Sequence, residues 1–293
     1  MVKMNILITG GSGFIGLSLA RRLVKAGHNV TSLDIYPPRI DIDYIKADIT
    51  DPKIKEAKFW EGIDICYHLA AMANVDDCRT YKDKAFFVNL YGTFNIAEAC
   101  RRHNVKMIYA STCCVYGNTP QHPSTEDGPT NPMDLYSVTK LAGEEIIKLL
   151  PRWVILRFGT TVGSEMRPAL ATWIFLNQAH NNESFTITGN GNQSRNWIYV
   201  EDLVEGCYKA LKTENQIINL AGKKSYTVYE MAEMCAEIVN GTAKNMRVKY
   251  LPAREGDVMK EDISIKKAES LLKWIPRTDL REALKKSYKQ IFR

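Results

Sequence analysis

The sequence predicts an α/β protein in which a doubly wound parallel sheet is followed by a smaller C-terminal lobe. Short apolar runs alternate with helical patterns through the first half of the 293 residues, and the first run leads into a glycine-rich turn. After about residue 163 the pattern becomes more irregular and more polar. Strands that alternate with helices pair in parallel through right-handed crossovers, so the first half is expected to form the sheet.

Seven apolar runs are predicted to be strands, with helical patterns between several of them. The predicted strands span residues 4–10, 29–35, 44–49, 64–71, 106–112, 153–159 and 216–222. The predicted helices span 14–25, 85–102 and 135–150, and strand and helix material continues at 196–211.

Composition is that of an ordinary soluble globular protein and does not favour a membrane or nucleic-acid-binding protein. Hydrophobic residues make up 45% of the chain and charged residues 25%. No apolar run reaches the roughly 18 residues of a membrane span, and the glycine-rich start does not resemble a signal peptide. The net charge of +6 comes from scattered basic pairs. We therefore expect a cytoplasmic protein with neither a membrane nor a nucleic-acid partner.

The seven cysteines are dispersed, which argues against a metal or disulfide framework. They form no C-x-x-C motif and have no matching histidine pair, so no metal site is predicted. Neighbouring cysteines such as Cys113 and Cys114 rarely join to each other, and cytoplasmic thiols stay reduced.

A glycine loop between the first strand and the first helix predicts a site for a dinucleotide. Gly10, Gly13 and Gly16 follow the spacing G-x-x-G-x-x-G in "ITGGSGFIG". One glycine permits the turn, one lets a pyrophosphate approach the backbone, and one lets the helix pack closely on the strand. The helix N-terminus then presents free N–H groups to the phosphates.

Asp34 ends the second predicted strand and favours NAD over NADP. A carboxylate at this place accepts hydrogen bonds from the ribose hydroxyls and repels the additional phosphate of NADP. An Asp that only caps a turn is the alternative. Arg39 lies nearby in the sequence, so NADP stays a second possibility.

Tyr136, Lys140 and Thr112 are predicted to form a proton-transfer site. Tyr136 and Lys140 lie four residues apart on one helix face, and Thr112 ends a predicted strand. A tyrosine has a pKa of about 10, whereas a useful base needs about 7. One positive charge about 4 Å away supplies the required 4 kcal/mol or so, and Lys140 is expected to be that charge. A second pair, Tyr208 and Lys212, has no such context and is interpreted as a chance match.

These segments resemble the extended short-chain dehydrogenase/reductase family, and within it the nucleotide-sugar epimerases and dehydratases. The matching segments are "TGGSGFIG", "KADITD", "HLAA", "STCCVYG", "YSVTK", "GNGNQSRNWIYVEDL" and "PAREGDV". The resemblance implies a Rossmann domain over 1–162, to which 196–222 return, and a nucleotide-sugar-binding lobe over 163–195 and 223–293. It also implies a homodimer that packs helices near 85–102 and 135–150.

The resemblance assigns roles to individual residues. Those implied for NAD are Gly10, Gly13, Phe14, Ile15, Gly16, Asp34, Ile35, Asp48, Ile49, Leu69, Ala70, Ala71, Tyr136 and Lys140. Those implied for a nucleotide-diphosphate sugar are Thr112, Thr160, Arg195, Arg254 and Asp257. Thr160 stands where the family usually has an asparagine, so the substrate contact there is expected to be unusual.

The triplet Thr112-Cys113-Cys114 helps to distinguish which reaction of the family the enzyme catalyses. Dehydratases of the family carry Thr-Asp-Glu here and decarboxylases carry Thr-Ser-Glu, whereas this triplet supplies no carboxylate. A 4-epimerase needs only the threonine, the tyrosine, the lysine and a cavity in which a ketone can rotate. The sequence thus favours an NAD-dependent nucleotide-sugar 4-epimerase.

Three other functions stay open. The enzyme could be a 4-dehydrogenase or reductase that stops after oxidation. It could be a C3/C5-epimerase in which Cys114 transfers protons, since its offset from Tyr116 matches the acid/base cysteine of such relatives. A non-catalytic nucleotide-binding scaffold is disfavoured because the proton-transfer residues are all present.

Overall fold

The computed structural model describes residues 2–254 and 256–292. Its strands are β1 (Asn5–Thr9), β2 (Asn29–Asp34), β3 (Asp43–Lys46), β4 (Ile65–His68), β5 (Lys106–Thr112), β6 (Trp153–Phe158), β7 (Thr161–Val162), β8 (Phe185–Thr188), β9 (Ser194–Arg195), β10 (Ile198–Tyr199), β11 (Gln216–Leu220), β12 (Tyr226–Thr227) and β13 (Val248–Leu251). Its α-helices are α1 (Phe14–Lys25), α2 (Val75–Thr80), α3 (Lys82–Phe86), α4 (Thr93–Arg102), α5 (Leu135–Ile147), α6 (Ala171–His180), α7 (Val200–Lys209), α8 (Val228–Asn240), α9 (Lys266–Leu272) and α10 (Leu280–Phe292).

Seven parallel strands form the main sheet in the order β11-β6-β5-β4-β1-β2-β3. From β1 the chain first builds outward through β2 and β3, then returns to β4 on the other side. The order therefore reverses between β1 and β4, and a crevice opens there at the carboxyl ends of the strands. The predicted doubly wound fold is confirmed.

Two apolar clusters fill the two faces of the sheet. One contains Ile6, Ile8 and Leu156, and extends under α6, α7, α8 and α10. The other contains Leu7, Met107 and Ile155, and lies under α4 and α5. Neighbouring residues of one strand thus point to opposite faces, and the strands are apolar on both sides, as expected for a sheet covered by helices.

The helix predicted over 85–102 is interrupted in the structure. After α3 ends, Phe87–Gly92 adopts a π-helical turn before α4 begins. The wider turn points Asn89 into the protein interior. Its side-chain oxygen accepts the N–H of Met72, and its side-chain nitrogen donates to the carbonyl of Met72. Gly92 also faces inward and lies against the side chain of Ile49.

Short strand pairs organise the C-terminal half. β10 pairs with β7, β13 with β8, and β12 with β9. Isolated bridges join Ser194 to Lys260 and Ser124 to Ile263, which fixes the segment between Lys260 and Ile263 on both sides. The division into two domains stays a prediction. Over residues 2–254 and 256–292, the structure contains no helix with the length and apolar character that crossing a membrane requires.

Candidate active site

A cavity of about 380 Å³, here called the central cavity, lies at the carboxyl ends of β1, β4, β5 and β6. Many of the predicted site residues line it: Gly10, Gly13, Phe14, Ile15, Gly16, Leu69, Ala71, Thr112, Cys114, Tyr136, Lys140 and Thr160. The sheet brings these residues together because parallel strands end at the same edge.

The glycine loop leaves room for a ligand beside its backbone. Gly10 has φ +71°, and a Cβ there would lie 2.7 Å from the backbone nitrogen of Ala70. A Cβ on Gly16 would collide with the carbonyl of Gly10, so the start of α1 packs closely on the loop. Gly13 caps α1 without a side chain, which leaves the first N–H groups of the helix accessible. This backbone cradle fits the pyrophosphate of a dinucleotide.

Asp34 lies at the edge of the glycine loop. Its carboxylate accepts hydrogen bonds from the N–H groups of Ser12 and Tyr36, both at 3.1 Å. Ile35 and Asp48 line a second cavity of about 490 Å³ beside it. The Ile49 side chain instead packs in the core against Gly92.

Tyr136 lies in the first turn of α5 and faces Thr112. Asp134 caps this helix by accepting the N–H of Ser137 at 2.8 Å, which fixes where the turn begins. Tyr136 and Thr112 both line the central cavity, and the Thr112 side chain opposes the rise in the pKa of Tyr136. Thr112 also accepts the N–H of Cys114 at 3.1 Å. A substrate oxygen placed in the cavity can therefore meet both hydroxyls.

The electrostatics of Tyr136 and Lys140 differ from the expectation. We expected the ammonium of Lys140 to lower the pKa of Tyr136, but burial dominates and raises it. Burial also lowers the pKa of Lys140 to about 7, against the opposing effect of Glu144. The Lys140 ammonium lies 4.1 Å from the ring centroid of Tyr109, which replaces part of its lost hydration. Tyr136 thus needs a further positive charge to act as a base near neutral pH.

His68 supports this aromatic ring and was not predicted. Thr93 donates its hydroxyl hydrogen to the carbonyl of Asn89 at 2.6 Å, so it accepts from His68 Nε2 at 3.0 Å. His68 Nδ1 then accepts from Thr9, 2.6 Å away. Burial lowers the pKa of His68 to about 3, so the ring is neutral with a fixed tautomer. The sequence feature that could have revealed this residue is a histidine at the end of an apolar strand.

An ion pair buried beneath the site joins Glu144 of α5 to Arg157 of β6. Arg157 Nη2 lies 2.7 Å from Glu144 Oε2, and Ser111 donates to the same carboxylate. Arg157 also donates to the Tyr116 hydroxyl at 2.9 Å, and Tyr116 donates to Asn219 at 2.7 Å. The network therefore links α5, β5, β6 and β11 below the cavity.

The two adjacent cysteines have different surroundings. Cys113 is buried, and its thiol donates to the carbonyl of Arg157 at 3.5 Å. Cys114 lines the cavity, and burial raises the pKa of its thiol to about 11, with Glu261 adding to the rise. A thiol at neutral pH is a poor proton acceptor. In the described part of the chain all seven cysteines are free, and no group of three metal-ligating side chains occurs.

Three of the residues implied for the nucleotide-diphosphate sugar, Arg195, Arg254 and Asp257, lie outside the lining of the central cavity. Arg195 forms an ion pair with Asp257, with 2.7 Å between Nη2 and Oδ1. Arg254 forms an exposed ion pair with Asp76 at 3.1 Å.

The sequence of this chain matches the family model described as the NAD dependent epimerase/dehydratase family over residues 6–221, well over half of its length. The chain belongs to that family. The predicted family, enzyme class and NAD cofactor are thereby confirmed, and the glycine cradle fits NAD. Which residues hold NAD or substrate stays a prediction.

Relatives in this NAD-dependent epimerase/dehydratase family span nearly the whole chain. A Methanocaldococcus jannaschii protein named for UDP-glucose 4-epimerase activity is 32% identical over 300 residues, 96% of each chain. UDP-glucuronic acid decarboxylase 1 of Danio rerio is 28% identical and matches 97% of this chain and 72% of its own. The structure of UDP-glucuronic acid 4-epimerase from Bacillus cereus with UDP-glucuronic acid and NAD has a TM-score of 0.90, at 29% identity and 98% and 99% coverage.

Sequence reasoning did not predict several lining residues of this family member's cavity. They are Ala73, Ala110, Ser111, Phe158, Gly159, Thr161, Arg167, Leu170 and Glu261. Among these residues, Glu261 matters most for the reaction because it brings a carboxylate into the cavity. The triplet at Thr112 supplies no carboxylate, but the fold brings one into the cavity from a distant segment, and no sequence pattern signals it.

Proposed function

We propose that this protein is an NAD-dependent UDP-sugar 4-epimerase. The meeting of Thr112, Tyr136 and Lys140 in one cavity that also adjoins the glycine loop is the observation on which this proposal depends. Relatives named for UDP-glucose and UDP-glucuronic acid 4-epimerases support the substrate class and the reaction.

In this mechanism the sugar C4 hydroxyl lies between Thr112 and Tyr136. Thr112 holds the hydroxyl oxygen, and Tyr136 removes its proton as the C4 hydrogen leaves as hydride. Bound NAD supplies the acceptor and later the donor of that hydride, and its positive ring favours the ionised form of Tyr136. After the ketone rotates, Tyr136 returns the proton to the C4 oxygen, and the opposite epimer forms.

Lys140 keeps positive charge near the reacting oxygen. Its pKa of about 7 means that about half of the side chains carry a proton at neutral pH. Glu144, one turn further along α5, favours that charged form. Lys140 thereby adds positive charge to the cavity that holds Tyr136, beside Arg167, whose guanidinium lowers the pKa of that tyrosine.

The alternatives are less well supported by the site. Elimination or decarboxylation by relatives uses a glutamate in the triplet that this chain lacks. Proton transfer by Cys114 is disfavoured by the raised pKa of its thiol. A 4-dehydrogenase that releases its keto sugar would use the same residues for oxidation. It would differ from an epimerase in consuming one NAD for each sugar that it oxidises.

A panel of nucleotide sugars tests the proposal. Purified protein is incubated with UDP-, GDP-, dTDP- and CDP-hexoses and hexuronates, and the products are resolved by NMR. We expect a C4 epimer of a UDP-sugar without net NADH at 340 nm. Stoichiometric NADH with a 4-keto sugar would identify a dehydrogenase instead, and inversion at C3 or C5 would contradict the proposal.

We also propose that the enzyme is a homodimer that uses the faces of α3, α4 and α5. Phe86, Phe87 and Phe94 are each at least 41% exposed, and Val138 on α5 is 45% exposed. The Phe87 and Tyr91 ring centroids are 5.2 Å apart, so the aromatic side chains form a continuous surface. Large exposed apolar patches of this kind mark interfaces between proteins.

Sedimentation of two matched variants tests the dimer. Phe87→Glu is expected to convert the dimer to a monomer. Leu271→Glu, at a position on α9 that is 49% exposed and outside α3, α4 and α5, serves as the control. A monomeric wild-type protein, or a dimer unaffected by Phe87→Glu, would contradict this proposal.

A further inference from the structure

Glu261 occupies a defined place in the wall of the central cavity. Its N–H donates to the carbonyl of Ser194 at 3.2 Å, beside the bridge between Ser194 and Lys260. On its other side, Ser124 bridges to Ile263. The segment is therefore held at both ends, and the Glu261 side chain lines the same cavity as Thr112 and Tyr136.

Few protein groups offset the cost of burying the carboxylate of Glu261. The residue is only 4% exposed. Oε1 accepts the backbone N–H of Asn196 at 3.1 Å, and within the described residues no hydrogen bond to Oε2 is present. Glu261 Oε2 is not among the described side-chain atoms that are fully buried without a partner, and the residue lines the cavity, so a ligand there can donate a hydrogen bond to this oxygen.

The charges around Glu261 leave its own charge largely unneutralised. Arg195 is the cation that opposes the rise in the pKa of Glu261, but its guanidinium is paired with Asp257 at 2.7 Å. Cys113 and Cys114 face Glu261 from the end of β5, and both thiols stay protonated because burial and this carboxylate raise their pKa values. The electrostatic environment of the sugar on this side is therefore negative.

Arg167 lies elsewhere on the cavity wall and does not cancel this effect. Its guanidinium influences Tyr136 and Cys78, whereas that of Arg195 influences Glu261. Arg167 is exposed and donates to the carbonyl of Ala73 at 3.2 Å. Water screens a charge at that place more strongly than it screens the buried Glu261.

We propose that Glu261 is a specificity-determining residue that accepts hydrogen bonds from hydroxyl groups of a neutral hexose and disfavours hexuronates. This inference rests on the proposed function, since it takes a UDP-sugar as the ligand of the central cavity. In a cavity of about 380 Å³, a carboxylate on the sugar lies close to Glu261 in a poorly screening medium. A hydroxyl group instead satisfies the carboxylate oxygen that the protein leaves open.

If Glu261 sets the sugar preference through its charge, that preference should change with pH. A Glu261 side chain that only filled space would cause no such change. Burial raises the pKa of Glu261, so its protonation begins at a higher pH than that of an exposed glutamate. Once Glu261 is protonated, it no longer repels a uronate and can donate a hydrogen bond to it. Discrimination against hexuronates therefore weakens as the pH falls.

Binding measurements on a non-reacting background test the inference. Tyr136→Phe, loaded with NAD, is titrated calorimetrically with UDP-glucose and with UDP-glucuronate at pH 8 and at pH 5.5. The same titrations are repeated with the double variant that carries both Tyr136→Phe and Glu261→Gln. Asp262→Asn, the neighbouring carboxylate outside the cavity lining, is the matched control.

At pH 8 we expect UDP-glucose to bind about tenfold or more tightly than UDP-glucuronate, with a smaller ratio at pH 5.5. Glu261→Gln should reduce the ratio at pH 8 and weaken its pH dependence to the part that protonation of Lys140, with a pKa of about 7, causes, whereas Asp262→Asn should leave both unchanged. Equal or tighter binding of UDP-glucuronate at pH 8 would overturn the inference, and so would a ratio unaffected by Glu261→Gln. If that variant does not fold, a pH-independent ratio in Tyr136→Phe would overturn it. Selective binding by a protein without epimerase activity would refute only the proposed function.

Discussion

Glu144 and Arg157 form a two-point ion pair inside the protein, with 2.7 Å between Oε2 and Nη2 and 3.0 Å between Oε1 and Nε. Their side chains are 0% and 3% exposed. The pair fixes α5, which presents Tyr136 and Lys140, against β6 of the sheet. The position of α5 thus depends on a contact one to two turns beyond the two side chains that it presents to the cavity.

Removal of one partner should destabilise the fold strongly. Glu144→Ala leaves a buried guanidinium without its counter-charge, so we expect a loss of about 3–5 kcal/mol in the free energy of unfolding. Urea denaturation measures this loss. The adjacent Glu145→Ala breaks an exposed 2.6 Å pair with Lys148 and should cost less than about 1 kcal/mol. Equal losses for the two variants would show that the buried pair does not have this role.

Tyr136→Phe should lose most of its turnover and keep its affinity for NAD. The variant removes the proton acceptor but keeps the ring, and general-base catalysis contributes roughly 10²–10⁴-fold to a rate. Steady-state kinetics and NAD titration separate the two effects. Tyr208→Phe, which lies four residues before Lys212 as Tyr136 does before Lys140, is the control and should retain wild-type turnover. An active Tyr136→Phe enzyme would refute the assignment.

Lys140 should make stability depend on pH above neutrality. Its pKa is about 7 in the folded chain and about 10.4 when unfolded, so between these values the unfolded state binds more protons. Stability attributable to Lys140 then rises as the pH rises, by up to about 1.4 kcal/mol per unit. Unfolding free energies of wild type and Lys140→Met are compared at pH 7, 8 and 9. A difference between them that stays constant with pH would contradict the low pKa.

Cys114→Ser should keep 4-epimerase turnover within a few-fold. The thiol of Cys114 has a pKa of about 11 and holds its proton at neutral pH, so it is not expected to remove a carbon-bound hydrogen. We expect no solvent deuterium at C3 or C5 of the product formed by the wild type in D2O. Deuterium at either carbon that disappears in Cys114→Ser would instead establish the cysteine as an acid/base group.

Most of the fold was predictable because it depends on local patterns. Apolar runs such as 106–112 and 153–159 become β5 and β6 with nearly the predicted bounds, since strands of a covered parallel sheet are apolar on both faces. The interruption at Phe87–Gly92 was not predictable, because it depends on Asn89 reaching Met72 across the chain.

The predictable part of the site consists of residues that follow strand ends or share a helix turn. Gly10, Thr112 and Tyr136 meet in one cavity for this reason. The Arg157–Glu144 pair left a usable signal, an arginine in an otherwise apolar strand. Glu261 left none, because it reaches the cavity through bridges that join segments far apart in sequence. The pKa values also depend on burial, which sequence spacing does not reveal.

The most direct test of the proposed 4-epimerase reaction uses UDP-glucose labelled with deuterium at C4, in ordinary water. If Thr112 and Tyr136 support oxidation and re-reduction of the same carbon, NMR should show UDP-galactose that retains the label at C4. Loss of the label from C4 of the UDP-galactose to solvent, or the absence of a C4 epimer from every UDP-sugar of the panel, would contradict the proposed function.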